Sequence, residues 1–365
     1  MKLLFLGDFF YDYGYFSKDM EEISKFIIEN DYKVILNFES SLGEKGTPIK
    51  KRGPNLRSSE KSIDILKKLQ CIGVCLANNH AMDYGAEALL DMKDTLIRSG
   101  IQCVGIGKNL QEALEPAVLM AGEKKIVLQN YGWNIEETVY ATKEQPGCAP
   151  LDRNVVIEQT RRIREKDPEC KVINIFHWGF EFNLLPMPLD IQFAHECIQA
   201  GCSLVIGHHP HVVQPYELYE NVPVFYSLGN FYFSSKRNGF QTKYDKEFSE
   251  NFGDYGLGVI YDTDTDSTET IMIFFNRETG KSVLVKEVDK RVLLDLKKLQ
   301  WTTESYLELA RTHAYKQNPI LGMDEAENKK ALDDLKRKYW IADKVKFLKK
   351  SSLGTKLYAF LKSKA

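Results

Sequence analysis

The sequence predicts an α/β fold, and three observations lead there. Apolar runs of strand length alternate with amphipathic, helix-like stretches from the N-terminus to residue 206. Five of the runs end on a residue that can bind a metal or move a proton: Asp8, Glu39, Asn79 with His80, His177, and His209 with His211. Beyond residue 222 strand-like segments succeed one another without long helices, which suggests antiparallel additions or a second sheet packed on the first. In open α/β sheets, loops from the carboxyl ends of different strands meet to form a site. One such ending is an ordinary turn or cap residue; five together point to a site.

Taken in order, Lys2–Leu6 reads as a buried strand ending at Gly7-Asp8, and residues 17–29 as a helix with Met20, Ile23, Phe26 and Ile27 on one face. Lys33–Leu36 is a second strand, ending in Asn37-Phe38-Glu39. A polar loop over 43–57 carries Lys45, Lys50, Lys51, Arg52 and Arg57, and Ser58 or Ser59 is placed to cap a helix built on Ile63, Leu66 and Leu69. Ile72–Ala77 is a third strand, ending in Asn78-Asn79-His80. A strong helix over 86–99 follows, stopped by Gly100.

Strands are expected over 101–107, 126–131 and 172–176, with helices over 154–166 and 189–200. The stretch Cys202–Phe233 is the densest in chemistry. Leu204-Val205-Ile206 reads as a short buried strand, and His208, His209 and His211 crowd into the bend after it, three of only seven histidines. Neutral imidazole is the commonest nitrogen ligand for zinc and its neighbours, so this clustering points to a metal. Val222–Phe233, Gly256–Tyr261, Thr268–Phe275 and Ser282–Val288 complete the strands, giving a domain over 1–290. Residues 291–365 read as a helical, basic C-terminal extension, either solvated or docking a membrane surface or partner.

Composition narrows the function classes. Hydrophobic residues at 43% and charged residues at 27% are ordinary for a globular chain able to bury a large core. A formal charge of −2 supplies no general attraction for nucleic acid. The seven cysteines are scattered without a CxxC pair, so a disulfide framework and a thiolate zinc site are both disfavoured. The apolar start, MKLLFLGDFF, is short for a signal peptide, and no segment approaches the roughly 20 apolar residues of a membrane span, so a cytoplasmic location is expected.

The motifs GD (7–8), NFE (37–39), ANNHAMDYG (77–85), HWGFE (177–181), GHHPHVVQPYE (207–217) and YSLGNF (226–231) together resemble the CapA-like capsule-synthesis proteins. That family is named for poly-γ-glutamate capsule production and sits in the calcineurin-like metallophosphoesterase superfamily. The resemblance covers roughly residues 1–235 and implies a four-layer α/β/β/α sandwich with one or two divalent ions (Mn, Fe or Zn) at one edge. It further implies that Asp8 and His211 hold one ion, that Asn79, His177 and His209 hold the other, and that Glu39 bridges. His80 would serve the leaving group as acid or electrostatic partner, oriented by Asp83. Two departures from the wider superfamily stand out: Phe10 occupies the place of a first-strand histidine ligand, and Glu39 replaces an aspartate bridge.

Other residues carry less. Trp178 is either a wall of the substrate pocket or core, and Glu181 is a second candidate wall. Asn230, in a strand ending at a tight turn, is placed to bond a metal ligand or substrate, and Arg52 with its neighbours Lys50 and Lys51 to bind a phosphate or carboxylate, against a solvated basic loop. His208 is expected to pack or to hydrogen-bond behind the ligands, while His195 and His313 default to structure. Two functions remain open on this reading. One is a metal-dependent hydrolase of phosphoesters or γ-glutamyl amides linked to capsule or exopolymer synthesis. The other is a non-catalytic, metal-containing subunit that binds a polyanionic chain within a membrane-associated capsule assembly.

Overall fold

The computed structural model describes residues 1–11, 20–51, 53–134, 138–233, 254–276 and 281–285, with 293, 295 and 296. Met1–Gln300 forms one compact unit. Arg52, His313 and the expected C-terminal extension lie outside the described residues, apart from the three isolated positions near its start.

The main elements, in chain order, are β1 (Lys2–Phe10), α1 (Glu21–Glu29), β2 (Lys33–Phe38), α2 (Lys61–Lys68), β3 (Cys71–Cys75), α3 (Gly85–Arg98) and β4 (Gln102–Val104). They continue with β5 (Ala117–Ala121), β6 (Lys124–Gly132), α4 (Arg153–Lys166), β7 (Lys171–His177), α5 (Pro188–Gln199) and β8 (Leu204–His208). The last are β9 (Tyr216–Tyr219), β10 (Val222–Phe225), β11 (Asn230–Phe233), β12 (Tyr255–Asp262), β13 (Ser267–Asn276) and β14 (Lys281–Val285). Two sheets result. The first runs β14-β13-β12-β1-β2-β3-β4, with β11 also paired to β1; the second runs β9-β10-β8-β7-β6-β5. β1 to β4 are mutually parallel, as are β6, β7 and β8.

Side-chain alternation along the strands builds four layers. Leu3, Phe5 and Ile35 face inward and meet Ile126, Leu128, Ile173, Ile175, Leu204 and Ile206 of the second sheet in one core. Leu4, Leu6, Val34, Leu36 and Val74 face the other way and bury Ile23 and Ile27 of α1, Leu66 of α2, and Leu89, Met92 and Leu96 of α3. On the far side of the second sheet, Phe176 packs on Phe193 of α5, and Val127 and Val172 pack with Ile163 of α4. The α/β/β/α sandwich follows from this order of faces.

Three helix boundaries obey local chemistry plainly. Asp152 caps α4 by accepting from the backbone N–H groups of Asn154 and Val155, Pro188 opens α5, and Gly100 turns the chain out of α3 at φ +81°. The expected serine cap on α2 is not made. Glu60 holds the cap position without a side-chain bond, and the Ser58 hydroxyl instead accepts from Tyr11 N (3.2 Å) and Ser40 Oγ (2.8 Å).

The late strands take the first of the two expected forms, antiparallel additions, over β12 to β14. β12 pairs antiparallel with β1, β13 and β14 continue the first sheet in antiparallel succession, and the second sheet is assembled from β5 to β10. The expected strand over 222–233 breaks in two because residues 226–229 cross from the second sheet to the first. Two glycines admit this crossing. A Cβ on Gly7 would lie 2.0 Å from Gly229 O, and one on Gly207 would lie 1.8 Å from Tyr226 O. Asp8 N bonds Gly229 O at 2.9 Å and Leu228 N bonds Gly207 O at 3.1 Å, so the crossing segment ties the ends of β1 and β8 together. Catalysis-capable residues from both sheets are thereby brought to one edge.

Candidate metal centre

Asp8 ends the regular part of β1 opposite Asn37 of β2, and His177 ends β7 opposite His208 of β8. Glu39 follows β2, Asn79 and His80 follow β3, and His209 and His211 follow β8. All of these side chains are buried. Parallel strands place their carboxyl ends on one edge, which is why residues far apart in sequence meet here. The bend after β8 is strained: His209 and His211 adopt φ +96° and +58°, a region that favours glycine.

Glu39 is the centre of the cluster. Its Oε1 lies 3.5 Å from His211 Nε2 and 3.8 Å from His177 Nε2, with no hydrogen-bond partner. Two ligand-capable groups share it. Glu39, His209 and His211 form one and Asp8, Glu39 and His177 the other, with the contributing atoms of each within 4.8 Å of one another. These groups cut across the expected division, which set His211 with Asp8 and His209 with His177, but Glu39 is common to both, as a bridging carboxylate would be.

Hydrogen bonds indicate which ring nitrogens are free. His211 Nδ1 lies 2.9 Å from Asn230 Oδ1 and 3.2 Å from Asp8 Oδ2, both acceptors, so Nδ1 carries a proton and Nε2 is the nitrogen turned toward Glu39. A carboxylate and an amide behind an imidazole are the usual support for a metal ligand. His177 Nε2 faces Asn79 Oδ1 at 3.0 Å. Both ring nitrogens of His209 are buried without a partner, and so is Asn79 Nδ2. Buried polar atoms seldom go unsatisfied. Unpartnered oxygen and nitrogen donors around one carboxylate are what a divalent cation would satisfy, so the residues fit the metal that the sequence implies.

Electrostatics agree. Burial, reinforced by neighbouring imidazoles, drives His177 well below the usual histidine range, and burial with His211 brings His209 down to about 3. Both are therefore neutral, as a ligand must be. Burial raises Glu39 well above the usual carboxylate range, Asp8 and Glu181 adding to it against the pull of His211. Asp8 goes the other way: burial would raise it, but contacts with His208 and His211 hold it well down. For His211, burial is outweighed by Glu39 and Asp8, which carry it up to about 10, so a metal on Nε2 would have to displace a proton.

Around this centre the other candidates sort out. His80 Nδ1 is 2.6 Å from Asp83 Oδ2, so the expected pair is formed. Burial first, and then the nearby Lys51 ammonium, lower His80 to about 4; the protonated imidazole expected from the sequence is disfavoured before substrate arrives. His208 is buried with Nδ1 3.1 Å from Asp8 Oδ1, within ion-pair distance but without a hydrogen bond from that nitrogen. Asn230 engages His211 twice, through Nδ1 (2.9 Å) and the backbone carbonyl (3.3 Å), which is the ligand-holding alternative. Glu181 is half-buried, with its charge felt at Glu39 and His211.

Trp178 is core and not a pocket wall. It is 1% exposed, stacks on Phe176 and Tyr226, and donates its indole N–H to Tyr226 O at 2.9 Å. Phe10 packs on Phe233, which in turn meets the His211 ring edge-on.

The basic loop is not simply solvated. Lys51 is buried against Asp83, and Arg57 lies over the Tyr84 ring and donates to the carbonyls of Glu44 and Lys45. His195 pairs with Glu217 and stacks on Tyr219, and Gln214 bonds the carbonyls of Asn183 and Leu185, all structural tasks.

Sequence reasoning missed Asn37. Its amide donates to Asp8 Oδ1 (2.8 Å) and Glu39 Oε2 (3.0 Å) and lies 3.5 Å from His177 Nδ1, while its own oxygen accepts from Asn78. The signal was present in the NFE motif, but an amide inside a strand reads as a weak strand former unless its neighbours across the sheet are known.

The family model of the bacterial capsule synthesis protein PGA_cap matches residues 3–235, which contain every residue of this cluster. The chain belongs to that family. Among curated PGA_cap-like relatives, the capsule biosynthesis protein CapA of Bacillus anthracis is 29% identical over 219 residues, 58% of this chain and 52% of that protein. The PGA biosynthesis protein CapA of Bacillus subtilis is 30% identical over 181 residues, 49% of this chain and 47% of that protein. A probable polyglutamine synthesis accessory protein of Mycobacterium tuberculosis is 28% identical over 205 residues, 54% of each. The chain spans about half the length of these relatives.

Solved structures similar to it include a phosphatase from Mycoplasma pneumoniae (14% identity, TM-score 0.45, covering 85% of this chain and 98% of that one). Another is a 5'-nucleotidase precursor from Thermus thermophilus (12% identity, TM-score 0.44, covering 88% and 60%).

Proposed function

We propose that this PGA_cap protein is a metal-dependent hydrolase serving capsule or exopolymer synthesis, acting on a phosphoester or on a γ-glutamyl amide. The observation that carries this reading is the set of buried, unpartnered donors, Glu39 Oε1 and both nitrogens of His209, with His80 beside them. Asp8, Glu39, Asn79, His177, His209 and His211 would hold one or two divalent ions. Such ions, when bound, supply Lewis acidity toward an oxygen of the substrate and toward water. The chain's own part is to hold His177 and His209 neutral, to orient the ligands, to bury the reacting centre, and to present His80. With Nδ1 turned to Asp83, the His80 ring has only Nε2 left to accept or return a proton at the scissile bond.

The capsule association is supported by the family and by the names of the relatives, and the metal by the donor set. The Mn, Fe or Zn choice follows from mixed oxygen and nitrogen ligands. The test is hydrolysis of bis(4-nitrophenyl) phosphate and of poly-γ-glutamate by the full chain with added Mn²⁺. Turnover that falls at least 100-fold in His80→Ala, with metal still bound, is expected. Turnover unaffected by that substitution would overturn the role of His80, and no turnover on any ester or amide would overturn the enzyme.

A second reading has its own support. Phe10 and Phe233 put apolar surface beside His211, where a further histidine ligand would stand in an ordinary two-metal phosphoesterase. A site weakened on that side suits a non-catalytic subunit that uses its metal to bind a polyanionic chain within a membrane-associated assembly. Among the described residues no helix is long and apolar enough to cross a membrane. Polymer binding that depends on metal but not on His80 would favour this reading.

A further inference from the structure

Lys51 sits in a run of basic residues, yet its side chain is 1% exposed. Its ammonium donates to Asp83 Oδ1 at 2.5 Å and to the backbone carbonyl of Asn79 at 3.0 Å, and lies 3.0 Å from His80 Nδ1. An isolated buried ammonium is very costly, and even a paired one is weak evidence for stability. Its neighbours are a candidate metal ligand, the candidate catalytic histidine and that histidine's carboxylate.

Asp83 is the post around which the 49–56 loop is wrapped. Its carbonyl accepts from Ile49 N (2.9 Å) and Asn55 Nδ2 (2.9 Å), and its Oδ2 accepts from Leu56 N (2.6 Å). The same Oδ2 is 2.6 Å from His80 Nδ1. Two lone pairs would repel at that distance, and the Lys51 ammonium already has acceptors in Asp83 Oδ1 and Asn79 O, so the proton of the neutral ring sits on Nδ1. Leu56 N–H shares Oδ2 with the ring, and Lys51 holds the other oxygen.

We infer that Lys51 is a positioning residue, clamping Asp83 and the Asn79 backbone so that His80 is held as its Nδ1–H tautomer with Nε2 facing the reaction. The inference deepens the hydrolase reading and rests on it for the word reaction; the clamp itself is a property of the metal-free chain. It also accounts for a basic loop whose central lysine is unavailable to an anion.

Two measurements test it. In long-range ¹⁵N–¹H spectra of the metal-free full chain, the His80 ring, assigned by its loss in His80→Gln, is expected to show the Nδ1–H pattern. In Lys51→Met that pattern should give way to a tautomer mixture, with partial recovery in Lys51→Arg. With bis(4-nitrophenyl) phosphate and Mn²⁺, Lys51→Met should lower kcat about 10–100-fold while KM and bound metal stay within about twofold.

An unchanged His80 tautomer in folded Lys51→Met overturns the inference. If the wild type does not turn over, the hydrolase reading fails and the spectra alone decide the clamp. If Lys51→Met fails to fold, the charge-free pair Lys51→Met/Asp83→Asn removes the orphaned carboxylate. An unaltered His80 spectrum in that double variant would likewise overturn the inference.

Discussion

Glu39 and Asn37 divide one task at the residue scale. Glu39 offers an unpartnered oxygen at the centre of the cluster, while Asn37 grips Glu39 Oε2 and Asp8 Oδ1 from below with one amide. Groups behind metal ligands typically contribute a factor of about 10–100 in metal affinity. Asn37→Leu is therefore expected to weaken Mn²⁺ or Zn²⁺ binding by about that factor in calorimetric titration, with the protein still folded. Unchanged affinity would show that Asp8 and Glu39 need no such grip.

This scale is also where the sequence was least complete. Ligand-type residues announced themselves by position, at the ends of apolar runs. Asn37 and Lys51 did not, because their roles depend on what crosses from other strands and loops. Lys51 in particular sits in a basic run whose composition reads as solvated, and only burial against Asp83 shows otherwise. Trp178 shows the converse: beside a ligand in sequence, it turns to the opposite face of the sheet and packs under α5.

At the scale of elements, the site depends on a segment that belongs to neither sheet. Residues 226–229 pass between the ends of β1 and β8, and two glycines without side chains make the passage. Overfilling a packed core typically costs about 1–3 kcal/mol, and contact with rigid backbone lies at or above the upper end. Gly207→Ala should accordingly lower stability by about 3 kcal/mol or more in denaturant melts. Gly73→Ala, whose nearest neighbour would be an ordinary 3.7 Å away, should cost far less. Equal effects would mean that the crossing can move aside.

Apart from β5, which turns directly into β6, the alternation of strands and helices was legible up to β8, where apolar runs are bounded by turn residues and helices. It was not legible over 222–233, which reads as one strand because apolar composition alone does not reveal a change of sheet. β5 and β9 were likewise missed, both at the edges of the second sheet where half the residues face outward.

For the molecule as a whole, the central claim is that two sheets are joined so that six side chains from both can bind a divalent cation. The four-layer order came with the family resemblance, and the faces of the strands account for it physically. A polypeptide that buries two carboxylates and several imidazoles together, some without partners, carries a local cost that a bound cation would relieve.

The most direct measurement is elemental analysis of the purified full chain after equilibration with micromolar Mn²⁺, Fe²⁺ or Zn²⁺ and removal of free metal, alongside Glu39→Ala and His209→Ala. The account predicts one to two equivalents of metal in the wild type and a loss of at least half in each variant. Substoichiometric metal in the wild type, or equal retention in both variants, would contradict it.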